Sequence, residues 1–461
     1  MAAPPEKARA DWLVDSELPD MKTAVTCFSG ILFLRACLAS TLGGNVIIDE
    51  IMYHPNSTNV LEEWIELHNS APTNVNLSGW QITRGVHFSF PTNTILAAGG
   101  YLVVAADATT FAAKYPGVSN VVPASAGPLD GHTIELDDNT GQTINSVTYY
   151  NDGDWAIRRM GPVIYDHQGW EWFAAHDGLG ASLELINPDL PNSYAQNWGS
   201  STTPNGTPGR PNSIGAANIA PVITAVGHTP IIPQPTDVVT VSARIVDEHT
   251  NGLAVTLNYR VDGAANFSPV PMFDDGAHGD GLAGDGIYGG TLPAQPDSTV
   301  VEFFLQARDL ENNLRTYPAF VPPTNSVRTA NLLYQVDAGV YNGSQPIYRI
   351  LMTEAERAEL FALGRKCPDS DSDAEMNATL ITQDGVVTDG STTQLRYNVG
   401  VRNRGHGTRQ SNPNNYHVNI PADRMWKNQT GINAGARQQH QPDGHRRRQF
   451  LRFLRGERAV Q

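Results

Sequence analysis

The chain has 461 residues, with 47 acidic against 31 basic side chains and a formal net charge of −16. This balance argues against nucleic acid and against an anionic membrane surface as partners. The length predicts about three domains, and the many Gly and Pro residues between short apolar runs favour strands over long helices.

Residues 21–43 have the layout of a secretory signal, with Lys22, an apolar run from Ala24 to Leu34, and small residues after it. The run is too short to span a bilayer, so we expect no transmembrane helix in the mature chain. Residues 1–20 are expected to be a misassigned start, with translation beginning at Met21, or a disordered extension ahead of a buried helix. The predicted location is secreted or cell surface, and Cys367 alone remains after the signal, which excludes an internal disulfide.

Residues 45–200 form the first predicted module. Its strand-like runs, bounded by turn residues, are Val46–Tyr53, Glu63–His68, Gly79–Thr83 and Tyr101–Ala106. Alternation places Ile65 and Leu67 on one face of the second run and Trp64 and Glu66 on the other. Six of the eight tryptophans lie in this module and are expected at the centre of a sandwich.

Histidines and three glutamates of this module raise the question of a metal or catalytic site. Their spacing is neither HxH nor HxxxH, and the glutamates alternate along a strand, so we expect exposed turn residues instead. The residues are His54, His68, His87, His132, His167, His176, Glu62, Glu63 and Glu66.

Several segments of the first module occur in a recognisable order: VIIDEIMYHP, EWIELHN, LSGWQI, DGHTIELDD, GASLELINPDLPN and TPGRPN. Together they resemble a lamin tail domain of the bacterial secreted type over nearly all of residues 45–212. The resemblance implies an immunoglobulin-like β-sandwich that binds or scaffolds and has no catalytic residues. Because the chain has no heptad rod, the nuclear-filament role of eukaryotic relatives is not implied.

Residues 201–217 are poor in large apolar side chains and predict a semi-flexible linker, beyond which the later domains move. Residues 218–335 form the second predicted module, a sandwich that resembles the immunoglobulin-like or fibronectin-like modules of bacterial surface proteins. Its predicted strands are Pro221–Val226, Val238–Val246, Leu253–Val261 and Val300–Ala307.

An Asp/Gly-rich loop distinguishes the second module. Asp274, Asp275, Asp280 and Asp285 are separated by glycines, which let the backbone turn sharply enough for carboxylates to converge on a hard cation. Calcium is the candidate cofactor. The loop lacks the EF-hand ligand order, and the alternative is that the Asp-Gly pairs simply form tight turns.

Residues 336–433 form the third predicted segment. Thr353 and Glu356 make a capping box for a short helix that Gly364 closes. The predicted strands are Tyr348–Met352, Met376–Thr382 and Tyr397–Arg402, and the predicted solvated acidic loop holds Asp369, Asp371, Asp373 and Glu375.

The order YRILMTEAERAEL, NATLI, LRYNVGVRNRGHGTR and NNYHVNI resembles the start of the spore-coat protein H (CotH) kinase-like family. The resemblance implies the α+β N-terminal part of a secreted protein kinase, with a glycine-containing turn over the nucleotide. The residues on that turn, which are candidates for contacting phosphate, are Arg402, Arg404, Gly405, Gly407 and Arg409.

The third segment also departs from this family. Asn414 and Asn415 stand where the family carries a lysine. The family's catalytic and metal-binding acidic residues lie further downstream than this chain extends. ATP is therefore expected as a cofactor only if the segment is completed, and no catalytic residue is assigned.

The tail, residues 434–461, is basic. From Arg437 onward it has seven arginines and two acidic residues, about +5 against −21 for the remainder. A nucleic-acid-binding tail is one interpretation. A frame-shifted or truncated translation is the one we favour.

These observations predict a mainly β, multidomain chain: two immunoglobulin-like sandwiches and an incomplete kinase-like segment. The predicted function is binding or scaffolding of an extracellular protein or polysaccharide. The alternative is the N-terminal part of an extracellular ATP-dependent protein kinase.

Overall fold

The computed structural model describes residues 46–124, 129–323, 327–339, 347–364, 372–383, 393–405, 409, 415–424, 449–452 and 459–460. For residues 130, 449–452 and 459–460 it describes the backbone alone. The predicted N-terminal extension, signal peptide, Cys367 and Gly407 lie outside these residues, as does most of the tail. The described part is mainly β, which confirms the predicted fold class.

The first module is built on two main sheets. One has the order β14-β13-β1-β2-β7-β8 and the other the order β10-β9-β4-β5. Its strands are β1 (Val46–Met52), β2 (Trp64–Asn69), β3 (Val75–Asn76), β4 (Gln81–Gly85), β5 (Phe88–Ser89), β6 (Ile95–Leu96), β7 (Tyr101–Ala105), β8 (Val121–Pro123), β9 (Asp130–Asp137), β10 (Thr143–Thr148), β11 (Ile157–Met160), β12 (Trp170–Phe173), β13 (Leu183–Leu185) and β14 (Trp198–Ser200), and its helix is α1 (Ala108–Lys114).

Alternation along β2 separates two buried layers. Ile65 and Leu67 join the main core between the sheets, while Trp64 packs with Phe111 of α1 on the other face. The second face is therefore covered by protein. Of the tryptophans predicted at the sandwich centre, Trp155 and Trp198 belong to the main core, so that expectation holds only in part.

A β-bulge in β1 changes which side chains face which layer. The register between β1 and β2 shifts between Ile48 and Glu50, and as a result Ile48 and Ile51 both reach the main core. Glu50 is left on the opposite face of the sheet.

The second module has two sheets. One has the order β15-β16-β19, and the other has the order β18-β17-β20-β21, with β22 also paired to β20. Phe303, Leu305, Leu257 and Val241 lie in its core, all fully buried. Its strands are β15 (Val222–Thr229), β16 (Val239–Val246), β17 (Ala254–Val261), β18 (Ser268–Met272), β19 (Ile287–Leu292), β20 (Val300–Arg308), β21 (Leu314–Tyr317) and β22 (Leu332–Gln335).

The third segment forms one described sheet, β27-β26-β25-β24-β23-β28, with helix α2 against it. The Thr353 side chain accepts from the Glu356 amide at the start of α2, as the capping-box pattern predicts. The elements are β23 (Ile347–Leu351), α2 (Glu354–Ala362), β24 (Met376–Gln383), β25 (Thr393–Asn403), β26 (Tyr416–Ile420), β27 (Gln449–Arg452) and β28 (Ala459–Val460).

Residues 201–217, here called the strap, are packed against the first module. The Thr207 amide donates to Glu50 at 2.8 Å, and the Asn212 side chain donates to the Asp49 carbonyl at 3.1 Å. Ala217 accepts from Asn187 at 3.0 Å. The expectation of a semi-flexible linker is wrong for this segment, because its residues are held by hydrogen bonds to the first module.

In the described part of the chain, no helix is long and apolar enough to cross a membrane.

Candidate functional site

The Asp/Gly-rich loop connects β18 to β19 and folds around its own carboxylates. Asp280, 1% exposed, accepts from the amides of Asp275, Gly276 and His278 at 2.6–3.0 Å. Asp274 accepts from the amides of Gly284, Asp285 and Gly286 at 2.8–3.2 Å. The loop thus consists of two turns, each closed on one carboxylate.

These hydrogen bonds also set the charge state of the loop. The His278 side chain and the Ala277 amide lower the pKa of Asp275. At Asp280 desolvation raises the pKa, but the amides of Gly276 and His278 outweigh it, and the pKa is lowered. Asp275 and Asp280 are therefore ionised at neutral pH. The carboxylates of Asp274 and Asp280 accept from backbone amides of the loop, an arrangement that favours the tight-turn interpretation.

The arginines of the predicted phosphate turn contact an aspartate. Arg402 and Arg409 donate to the same oxygen, Oδ1 of Asp373, at 2.5 and 2.8 Å. Arg409 also donates to the carbonyls of Gly405 and Ser372. Arg404 lies at the end of β25, beside Gly405, whose φ is +88°. Asp373 of the predicted acidic loop is therefore ion-paired, although its side chain is 65% exposed. Asp369 and Asp371 lie outside the described residues, so for them solvation stays a prediction.

The histidines of the first module are mostly not exposed, contrary to expectation. His87 is exposed, whereas His167 and His176 are 8% and 2% exposed. His54 pairs with Asp177 at 2.7 Å, and His176 shares a hydrogen bond with Ser200 at 2.9 Å. Burial lowers the pKa of His176 to about 4, so this side chain is neutral in the fold.

Three glutamates of the first module form a buried cluster that the sequence pattern did not predict. Glu50 stands opposite Glu66 on β2 and opposite Glu184 on β13, and all three are fully buried. The strap closes over them, and Gly206 is required there, since its φ is +84° and a Cβ would lie 2.4 Å from Oε1 of Glu50. Sequence spacing could not find this cluster because the three residues come from distant segments.

A second buried carboxylate, Glu356 of α2, joins all three parts of the chain. Arg328 donates to both its oxygens at 2.7 and 3.0 Å. The Trp170 indole of the first module and the Asn377 amide of β24 each donate at 2.9 Å. Glu356 is fully buried, and four donor groups satisfy it.

The hairpin β11–β12 brings the first module to this junction. The Trp170 amide donates to the Glu375 carbonyl at 2.7 Å, and a Cβ on Gly169 would lie 2.2 Å from the Glu375 nitrogen. His167 shares a hydrogen bond with Glu359 of α2 at 3.1 Å. Only glycine at 169 permits this close approach.

A further contact joins the first module to the end of the third segment. The Asp154 amide donates to Asp423 at 2.8 Å, and Arg424 donates to Asp154 and to the Tyr317 hydroxyl. Burial raises the pKa of Asp423 to about 7, although Arg424 lowers it.

Beside this contact lies a cavity of ≈ 460 Å³ at the junction of the three parts. Its aromatic lining residues are Trp155, Trp172, Phe173, Trp198 and Tyr317. The volume lies in the range of small-molecule pockets, about 300–1,000 Å³.

Within the described residues, no group of three or more His, Cys, Asp or Glu side chains is placed to hold a metal ion. Calcium binding at the Asp/Gly-rich loop stays a prediction.

Calcium titration separates the two interpretations of that loop. Because backbone amides already occupy its carboxylates, we expect the melting temperature of the full chain to be unchanged in millimolar calcium. A calcium-dependent rise of the melting temperature in scanning calorimetry would instead establish the cation site, provided that Asp274→Asn abolishes the rise and Asp297→Asn, outside the loop, retains it.

Replacing Glu356 by alanine is expected to lower the free energy of unfolding by about 3–5 kcal/mol, because Arg328 is left as a buried charge without its carboxylate. Denaturant unfolding followed by tryptophan fluorescence measures the loss. The matched control is Glu354→Ala on the same helix, whose side chain is 66% exposed, and we expect it to cost less than about 1 kcal/mol. Equal losses in the two variants would contradict a special role for the buried carboxylate.

Comparison with known proteins gives one family match. Residues 39–151 match the family model of the Lamin Tail Domain. The matched residues make up less than half of the 461-residue chain. No curated protein matches the chain. The resemblance of the first module to lamin tail domains is therefore confirmed over these residues, and the structure adds β13 and β14, which lie beyond the match, to the same sheet.

Proposed function

We propose that the chain is a secreted or cell-surface scaffold that binds an extracellular protein or polysaccharide and has no complete catalytic machinery. The matched domain is a non-catalytic immunoglobulin-like module, which supports this class of function. The single observation that carries the proposal is the joining of three β-rich parts at Glu356, through donors from each of them.

A joined arrangement suits a scaffold on physical grounds. Binding orders side chains and loops at a free-energy cost, and a surface held in place before the ligand arrives loses less in this way. The contacts of Trp170 with Glu356 and of Asp154 with Arg424 tie the first module to the third segment at two places. Loops of different modules are thereby presented in one fixed arrangement.

The junction cavity supports a polysaccharide as one form of the ligand. Trp172 and Phe173 are only partly buried there. Arg158 covers one face of the Trp172 ring and Arg159 covers one face of the Phe173 ring, so the opposite faces are the candidates for packing on the apolar face of a sugar ring.

The alternative function, the N-terminal part of an extracellular kinase, is favoured by the paired arginines. Arg402 and Arg409 converge on one carboxylate oxygen, which is a geometry that also suits a phosphate oxygen. Phosphoryl transfer would further require a base and metal ligands.

Glycan binding tests the scaffold proposal. We expect the purified full chain to bind members of a polysaccharide array and Trp172→Ala to bind them about tenfold more weakly, since one stacking contact is lost. Tyr165→Ala is the control, an aromatic residue 44% exposed at the tip of the same hairpin. Loss of binding in both variants, or in neither, would contradict the assignment to the cavity.

Incubation with labelled ATP and Mg²⁺ tests the alternative. We expect no incorporation of phosphate into the chain or into added protein substrates, because the phosphate turn is occupied by Asp373. Incorporation that Arg409→Ala abolishes, while Arg357→Ala at an exposed position of α2 does not, would favour the kinase function instead.

A further inference from the structure

Among the residues that the structure describes, no basic side chain pairs with the glutamate cluster under the strap. In the described part of the chain, the hydrogen-bond donors to Glu50, Glu66 and Glu184 are hydroxyls and backbone amides. Oε1 of Glu66 is buried without a partner. Three fully ionised carboxylates in this position would be three like charges in a space without water, which is unfavourable.

The donors to the cluster come largely from the strap. Thr207 donates from its amide to Glu50 at 2.8 Å, and its hydroxyl lies 2.8 Å from Glu184. The Gly209 amide donates to Glu66, and the Ile214 amide donates to Glu184 at 3.1 Å. The strap therefore spans all three carboxyl groups and shields them from water.

We propose that the strap is a pH-dependent clasp, which stays closed over the first module while Glu50 and Glu66 hold protons and opens when they ionise. Opening lets water reach the carboxylates. Water molecules then donate the hydrogen bonds that the strap amides no longer supply. It also frees the connection between the first and second modules.

The charge states support the proposal. Burial raises the pKa of Glu50 from 4.5 to about 8, against the lowering effect of hydrogen bonds from Ser182 and Thr207. Burial and the charges of Glu50, Asp49 and Glu184 raise the pKa of Glu66 well above its usual value. Burial and the Glu184 charge raise the pKa of Asp49 to about 7.

The direction of the pH effect follows from these shifts. A carboxyl group that binds its proton more tightly in the closed state stabilises that state fully below the open-state pKa, near 4.5 for Glu50. The stabilisation falls as pH rises and is lost above the closed-state pKa of about 8. Alkaline conditions therefore favour the open strap.

Other titratable groups surround the cluster. Burial lowers the pKa of His68. Burial and the charges of Asp49 and Glu66 raise the pKa of Tyr101 to about 12. Burial, together with the Glu50 charge, also raises the pKa of Tyr115. None of these three supplies a positive charge at neutral pH. Of the basic side chains on α1 and on the strap, Lys114 pairs with Glu62 and Arg210 is exposed.

Hydrogen exchange of the full chain, corrected for the intrinsic rate, tests the clasp. Between about pH 5.5 and pH 8.5 we expect the protection factors of the Thr207, Gly209 and Ile214 amides to fall by about tenfold or more. Amides of β20 in the second module should keep theirs. Constant protection of the strap overturns the proposal, and so does an equal loss of protection in β20, which would indicate global unfolding.

Two variants sharpen the test. Glu66→Gln keeps an acceptor for the Gly209 amide and mimics the protonated side chain. It should therefore weaken the pH dependence of the protection factors of the strap amides. Glu62→Gln, four residues earlier and paired with Lys114, should retain it. A wild-type slope in Glu66→Gln overturns the proposal.

Infrared difference spectroscopy of the unmodified chain gives a second readout that does not depend on the folding of a variant. A buried, protonated carboxyl band should be present at about pH 6.5 and disappear over the pH range in which the strap opens. Absence of this band overturns the proposal.

Discussion

The arrangement of the chain depends on the hydrogen bonds of one buried carboxylate. Glu356 has no access to water, so its charge is tolerable only while Arg328, Trp170 and the Asn377 amide all remain in place. Each donor belongs to a different part of the chain. The requirement to satisfy a single side chain thus fixes how the hairpin β11–β12, the segment before β22 and helix α2 come together.

The same constraint acts in the first module with the opposite result. Glu356 is balanced by an arginine, whereas the donors to Glu50 and Glu66 among the described residues are neutral. Desolvation then raises their pKa values, and in our proposal protons take the place of a basic partner. Buried acids consequently serve two purposes in this chain: a permanent junction at α2 and, in our proposal, a reversible closure at the strap.

These features agree with the proposed scaffold, whose candidate binding cavity lies between the three parts of the chain. The Asp/Gly-rich loop and the paired arginines, both chemically prominent in the sequence, have internal partners in the fold. The aromatic cavity instead lies where the three parts meet, and no one of them could form it alone.

Local information in the sequence was enough for the class of fold, for several of the strands and for α2, but not for α1 or the remaining strands. Alternation of Ile65 and Leu67 and the capping residues Thr353 and Glu356 act over a few neighbours, so the strands and α2 could be predicted. The resemblance to lamin tail domains was confirmed for the same reason, since it rests on contiguous segments. Tertiary structure alone decided that the strap packs, that a bulge turns Glu50 away from the core, and that Trp170 reaches Glu356. These contacts join residues far apart in the chain, and burial of a polar group depends on what covers it, which no local pattern records.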